Sequence, residues 1–242
     1  MRSKRLAAQW AAILLLIGIL IFWVDALCFD AEFYTKEYTK LDTANYIGIT
    51  EQGLSDATEA LLDYLKDRRD DLTVYAEIDG SLREVFNERE KLHMIDVRQL
   101  YRNAKTVGYT SLAIGALTFA VLFWRSDRQE QKAVVRGYLH GNMMFFLMLA
   151  VIGLFAALDF DTFWTTFHKI MFSNDLWLLD PRQDILIQMV PQQFFFDLVM
   201  RIAIAAAASI GAFLIGAGIW NKKLERETQD EHKDAEQTEF AA

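Results

Sequence analysis

The sequence predicts a mainly α integral membrane protein with four transmembrane helices and a small α/β extracytoplasmic cap. Three observations predict it. There are four apolar runs of about 18 to 23 residues, each long enough to cross about 30 Å of hydrocarbon as a helix. Lys and Arg are distributed unevenly among the segments that join them, and a patterned polar stretch separates the first run from the second. Composition agrees: 53% of the 242 residues are hydrophobic, and the 18 Phe, 6 Trp and 8 Met gather in a few runs instead of recurring through every element. The net charge of -8 removes the case for a nucleic-acid partner, which would need a basic stripe against phosphates. Cys28 is the one cysteine, so an intrachain disulfide or a CxxC site is excluded. The preceding Asp25-Ala26-Leu27 lacks the lipobox pattern, so the chain is not itself read as a lipoprotein.

The first span occupies residues 1–26. Its apolar run, 6–24, is interrupted only by Gln9 and exceeds the roughly 7 to 15 residues of a signal-peptide core. The second span is 107–124 and the third 138–158, with His140 and Asn142 near one end of the third. The fourth, 198–220, has Arg201 near its start and the pair Gly211 and Gly216, small residues expected to let helices approach closely. Arg2, Lys4 and Arg5 precede span one, Arg125, Arg128, Lys132 and Arg136 fill the link 125–137, and Lys222, Lys223 and Arg226 follow span four. Cytoplasmic loops carry such an excess, so both termini and the link are expected inside, with 27–106 and 159–197 on the opposite face. The tail, 221–242, is polar and acidic and is expected to be disordered.

The 27–106 stretch reads as the cap. Ser55 is placed to N-cap a helix whose apolar stripe is Ala57, Ala60, Leu61, Tyr64 and Leu65. Two β-prone runs, 72–76 and 82–86, flank Asp79-Gly80, a strong signal for a tight hairpin. From about Asn87 the chain turns helical, and Leu92, Ile95, Leu100 and Ala104 are spaced to carry that helix on into span two. The 159–197 segment is dense in aromatics, among them Phe160, Phe163, Trp164, Phe167, Phe172, Trp177 and the run Phe194, Phe195 and Phe196. Read alone, most of these make an aromatic belt at the membrane interface. Asp180-Pro181 is expected to start a short helix, and Pro191 to reset the chain before span four.

Topology separates the four histidines. His140 lies toward the cytoplasmic end and His232 in the tail, which leaves His93 and His168 together on the extracytoplasmic side. Asp96, one turn after His93, is placed to hold an imidazole tautomer. His93 and His168 with Asp96, Asp175 or Asp180 could supply three or four metal ligands, but no metal-site spacing recurs and no metal is expected. HExxH, GxSxG and the Gly-rich nucleotide motifs do not occur. Cys28 and Ser173 are weaker nucleophile candidates, Cys28 reading as an inert apolar residue.

The run FHKIMFSNDLWLLDP over 167–181, followed by Asp184 and the stretch 191–196, is similar to a signature of a bacterial four-span family. EKLHMIDV over 90–97 resembles a second element of that family, the lipoprotein intramolecular transacylases. The resemblance covers the chain apart from the acidic tail. It implies an enzyme acting on diacylglyceryl apolipoprotein with a free N-terminal cysteine amine, moving the sn-2 acyl chain from the glyceryl oxygen to that amine to give the lyso form. The family's two catalytic histidines fall on His93 and His168, and neither a cofactor nor a metal is implied. The partners are then the lipoprotein substrate and membrane lipid.

The residue types suit this chemistry. An α-ammonium must lose a proton before attacking an ester, which an imidazole can take, and the departing alkoxide needs one back. His168 is read as base and His93, oriented by Asp96, as its acid partner, with the reverse assignment open. Phe163, Trp164, Phe167, Phe172 and Trp177 are pocket candidates, Asp180 an orienting one, and Asn174 and Arg182 candidate oxyanion donors. Two other classes remain at this stage: a non-enzymatic lipoprotein-binding or scaffold module, and a metal-dependent membrane hydrolase.

Overall fold

A computed structural model of the protein describes residues 1–240, with side chains described through residue 227 and at 229. The element order is α1 (Arg2–Leu27), α2 (Ala31–Leu41), α3 (Thr43–Ile47), α4 (Glu51–Leu65), β1 (Tyr75–Ile78), β2 (Ser81–Glu84), α5 (Glu88–Trp124), α6 (Arg128–Leu158), α7 (Phe160–Met171), α8 (Ile185–Met189) and α9 (Gln192–Phe240). Four of these, α1, α5, α6 and α9, are long and apolar enough to cross a membrane. Their exposed faces carry Leu117, Leu147 and Ile215, each about two-thirds exposed, as expected where the surrounding solvent is lipid. The chain divides into two compact units. One comprises 1–23, 107–153 and the chain from 203 on; the other comprises 24–106 and 154–202.

In the first unit Leu16, Phe145 and Ile210, from α1, α6 and α9, form a buried cluster. Close helix approach in this unit uses glycines where the sequence reading did not place them. A Cβ on Gly137 would stand 2.2 Å from the Arg5 carbonyl oxygen, and one on Gly141 2.5 Å from that of Gln9, so α6 meets α1 through a GxxxG face. Gly211 and Gly216, expected to serve this purpose, face open space among the described residues. Lys4 pairs with Glu130 and also donates to the Arg125 carbonyl at 2.7 Å. The helix α9 continues to Phe240, where composition predicted disorder over 221–242. Lys223 and Glu227 pair at 3.9 Å and Asn221 donates to Glu225 at 2.9 Å, one-turn contacts that favour extending a helix. Residues 241–242, at the end of that expected tail, lie outside the described residues.

The second unit is built on caps and aromatic packing. Asp30 caps α2 by accepting from Glu32 N–H at 3.1 Å, and Asp42, at φ 53°, turns the chain into α3. These two helices were not read from the sequence. The helix α4 starts earlier than expected: Thr50, not Ser55, is its N-cap and accepts from Gly53 N–H at 3.1 Å, so Ser55 lies inside the helix. Ala57, Ala60, Leu61 and Tyr64 are buried, as the stripe predicted. The hairpin is present with Ile78 opposite Ser81, and positive φ at both Asp79 and Gly80 makes the two-residue turn. The helix from Asn87 does run without a break through 124. Asn87 and Glu90 cap its start reciprocally: Asn87 Oδ1 accepts from Glu90 N–H at 3.1 Å and Glu90 Oε2 from Asn87 N–H at 2.6 Å.

The aromatic segment is largely interlocked with itself. Asp159 caps α7 by accepting from Thr162 N–H at 3.0 Å. Consecutive phenylalanines at the start of α9 then engage different partners: Phe194, fully buried, meets Phe33 and Tyr34 of α2 at 5.2 and 5.0 Å, Phe195 meets Trp164 at 4.3 Å, and Phe196 meets Phe160 at 5.4 Å. These rings join α2, α7 and α9. The expected helix at Asp180-Pro181 is a turn. Asp180 N–H donates to Asp184 Oδ2 at 2.6 Å, and the short helix α8 begins only after Asp184.

Candidate active site

His93 stands on the second turn of α5 and His168 on the last turn of α7, both within the second unit. They are 6% and 8% exposed, and their ring centroids are 6.2 Å apart. Phe172, next after α7, lies against both rings, at 5.2 Å from His93 and 5.7 Å from His168. Trp177 stacks on His168 at 5.0 Å, and Trp164 and Phe167 meet it edge-on at 4.8 and 5.5 Å.

The two rings differ electrostatically. His168 Nδ1 is 2.8 Å from the Trp164 carbonyl oxygen. A carbonyl can only accept, so Nδ1 carries the proton and Nε2 keeps its lone pair in the neutral ring. Burial pushes the His168 pKa below the usual histidine value, and the Trp164 carbonyl acts in the other direction. Burial takes His93 down to about 4, the neighbouring His168 pushes the same way, and the Asp96 carboxylate opposes without reversing it. Both rings are therefore neutral at pH 7.

Asp96 does not hold the His93 ring. Its Oδ2 accepts from Asn174 Nδ2 at 2.8 Å, while His93 Nδ1 is buried with no hydrogen-bond partner among the described residues. Asn174 is thereby tied to α5, one turn from His93. Arg182 forms an exposed pair with Asp180 at 3.0 Å, and Phe163 packs on Phe155 and Phe160, so neither these three residues' ring nor their ionic contacts reach the histidines. Cys28 is no nucleophile at neutral pH, because burial and Asp25 push its thiol up to about 12. Among the described residues no three His, Cys, Asp or Glu side chains gather as a metal site requires.

One residue quoted in the sequence motif but given no role there proves central to the geometry. Glu90 is fully buried three residues before His93, and its Oε1 accepts from Leu186 N–H at 2.5 Å. Asp184, also buried, accepts from Asn87 Nδ2 at 2.7 Å, and Arg89 donates to the Asp175 carbonyl. The stretch 172–186, which carries Phe172 and Trp177 to the histidines, is thus clamped to the first turns of α5. An Asn followed three positions later by Glu is a capping-box signal, and it was legible at 87–90.

The model of the lipoprotein intramolecular transacylase family, Lit, matches residues 9–195. The chain belongs to that family. Three solved structures similar to it are of the membrane integral lipoprotein intramolecular transacylase Lit from Bacillus cereus. One is 20% identical, with a TM-score of 0.68 over 96% of this chain and 98% of that one. Two carry a single histidine replaced, by arginine or by alanine; both are 19% identical with TM-scores of 0.71, covering 95% and 94% of this chain and 95% and 96% of theirs. At such identity the likeness speaks for the fold. No curated protein matches. This member of the transacylase family is a multi-pass membrane protein, and the two sequence elements first read as family motifs, 90–97 and 167–181, lie within or next to the residues that converge on the histidine pair.

Proposed function

We propose that the protein moves the sn-2 acyl chain of an S-diacylglyceryl cysteine to that cysteine's own α-amine, giving N-acyl-S-monoacylglyceryl lipoprotein, with His168 as base and His93 as its partner. The observation that carries this reading is the pair of neutral, buried rings 6.2 Å apart, one with its Nδ1 proton already engaged. The rings stand near enough, against the shared Phe172 side chain, for one reacting group to lie beside both.

His168 Nε2 takes a proton from the amine as nitrogen attacks the ester carbonyl. The carbon–oxygen bond to the glyceryl group then breaks, the amide forms, and the proton that His168 took passes by way of His93 to the departing sn-2 oxygen, which leaves both rings neutral again. Net proton count is unchanged. His93 Nδ1 is buried with no hydrogen-bond partner among the described residues, a polar atom that a reacting group seated against the ring would satisfy. Because amine and ester belong to one molecule, holding them in a cyclic near-attack geometry provides much of the acceleration, and the Phe172 and Trp177 rings define that space. The Lys and Arg asymmetry supports both termini and 125–137 in the cytoplasm, with the histidines at the opposite face.

Purified protein in detergent, given a synthetic lipopeptide labelled in its sn-2 chain, tests the reading. The label should move from ester to amide without added phospholipid and after EDTA treatment. Activity lost to EDTA and restored by zinc would assign the histidines to a metal instead. Unchanged lipoprotein phenotypes after His93→Ala and His168→Ala would favour a binding module.

A further inference from the structure

The second unit contains an open cleft of about 420 Å³ that the reaction above does not use. Asn45 and Tyr46 of α3, Arg83 of β2, and Arg182, Ile185 and Gln188 around α8 line it. These walls are mostly amide, phenol and guanidinium groups, the wrong lining for an acyl chain and a suitable one for groups that donate and accept hydrogen bonds. The part of a lipoprotein with that character is the polypeptide following the lipidated cysteine, which offers an N–H and a carbonyl at nearly every residue.

Position supports the same occupant. Ile185 in the cleft wall is the covalent neighbour of Leu186, whose N–H donates to Glu90 Oε1 at 2.5 Å. Glu90 precedes His93 by three residues, about 4.5 Å along the helix axis. The cleft and the histidines thus flank the same first turns of α5, and an extended peptide, which advances about 3.3 to 3.6 Å per residue, has the reach to extend from one toward the other. The charged groups at its rim are available for exchange. Arg182 is 89% exposed in a surface pair with Asp180, and Arg83 stands 3.9 Å from an exposed Asp79, contacts that water already weakens.

We propose that this cleft binds the polypeptide segment immediately after the substrate's lipidated cysteine, adding affinity without taking part in the chemistry. This rests on the transacylase reading of the histidine site. Two substrates test it: a diacylglyceryl lipopeptide with several residues after the cysteine, and S-diacylglyceryl cysteine amide with none. The wild-type protein should show a KM about tenfold lower for the long substrate. Arg83→Ala combined with Tyr46→Ala should raise that KM toward the short substrate's value, with kcat unchanged and turnover of the short substrate unaffected. Equal KM values for both substrates in the wild type, or a double variant that impairs both alike, would overturn the proposal. Binding of both lipopeptides to His168→Ala protein is measured in parallel. Length-dependent binding without wild-type turnover of either substrate would uphold the cleft and remove the transacylase reading, whereas length-independent binding would remove the cleft.

Discussion

His168 Nδ1 donates to the Trp164 carbonyl oxygen at 2.8 Å, one turn back on the same helix, and this single bond decides that Nε2 is the nitrogen that keeps its lone pair. Burial holds His168 below the ordinary histidine value of 6.5 and takes His93 to about 4. Two labelled histidine signals should therefore titrate below 6.5 by NMR in micelles, one vanishing in His93→Ala and the other in His168→Ala. Activity that requires the neutral rings is kept at pH 7 and lost as pH falls through those midpoints. Midpoints above 6.5 would contradict the burial account.

Glu90 works in the opposite direction. Burial pushes its carboxyl from 4.5 up to about 7, so the folded state binds a proton that the unfolded chain has released. Its contribution to stability is complete below 4.5 and is lost as pH rises through about 7. Thermal unfolding of Glu90→Gln should show less change between pH 5 and pH 7.5 than the wild type, a comparison in which the histidine contributions cancel. Glu90→Ala leaves the buried N–H of Leu186 without its acceptor, at about 1 to 3 kcal/mol, while the N–H of the exposed Asn87 can turn to water. A lower Tm at every pH is the expected result.

The α1–α6 contact predicts a contrast between glycines. Gly137→Ala puts a Cβ 2.2 Å from the Arg5 carbonyl oxygen and should cost about 1 to 3 kcal/mol through overpacking, read as a lower Tm in detergent. Gly211→Ala meets nothing within 4 Å among the described residues and should leave Tm unchanged or slightly raised. Equal effects at both positions would remove the GxxxG contact as the reason α6 approaches α1.

How far the sequence was legible follows from the range of each signal. Apolar run length is local, and it located the spans; Asp79-Gly80 is a two-residue signal, and it located the hairpin. Asp96 shows where local reasoning stops. Its spacing from His93 is right for a contact, yet Asn174, 78 positions away, takes the carboxylate. Long-range competitors of this kind leave no trace in spacing. The same holds for Phe194, Phe195 and Phe196, whose composition suggests a belt: Phe194 is buried against α2, while the half-exposed Phe195 and Phe196 pack on Trp164 and Phe160. Ser55 was displaced by Thr50 because two capping residues five apart are both compatible with one apolar stripe.

The proposed sidedness is checked by labelling with impermeant thiol reagents on intact cells, in a background lacking Cys28. Single cysteines at Ser81 and Ser173 should react, and one at Gln129, an exposed position in the basic link, should react only after permeabilisation. Labelling at Gln129 alone in intact cells would invert the topology.

In the proposed reaction the acyl chain never leaves its own molecule. A crossover measurement addresses this most directly: purified protein is given an equal mixture of two diacylglyceryl lipopeptides, one isotopically heavy in both peptide and sn-2 chain and the other light in both, and products are fragmented to locate each chain. Intramolecular transfer gives heavy peptide carrying only the heavy N-acyl chain and light only the light. General acid–base help is typically worth about 100- to 10,000-fold, so His168→Ala and His93→Ala should each leave little of either product. Mixed heavy–light products would contradict the intramolecular route, and full conversion by the double histidine variant would contradict the assignment of the site.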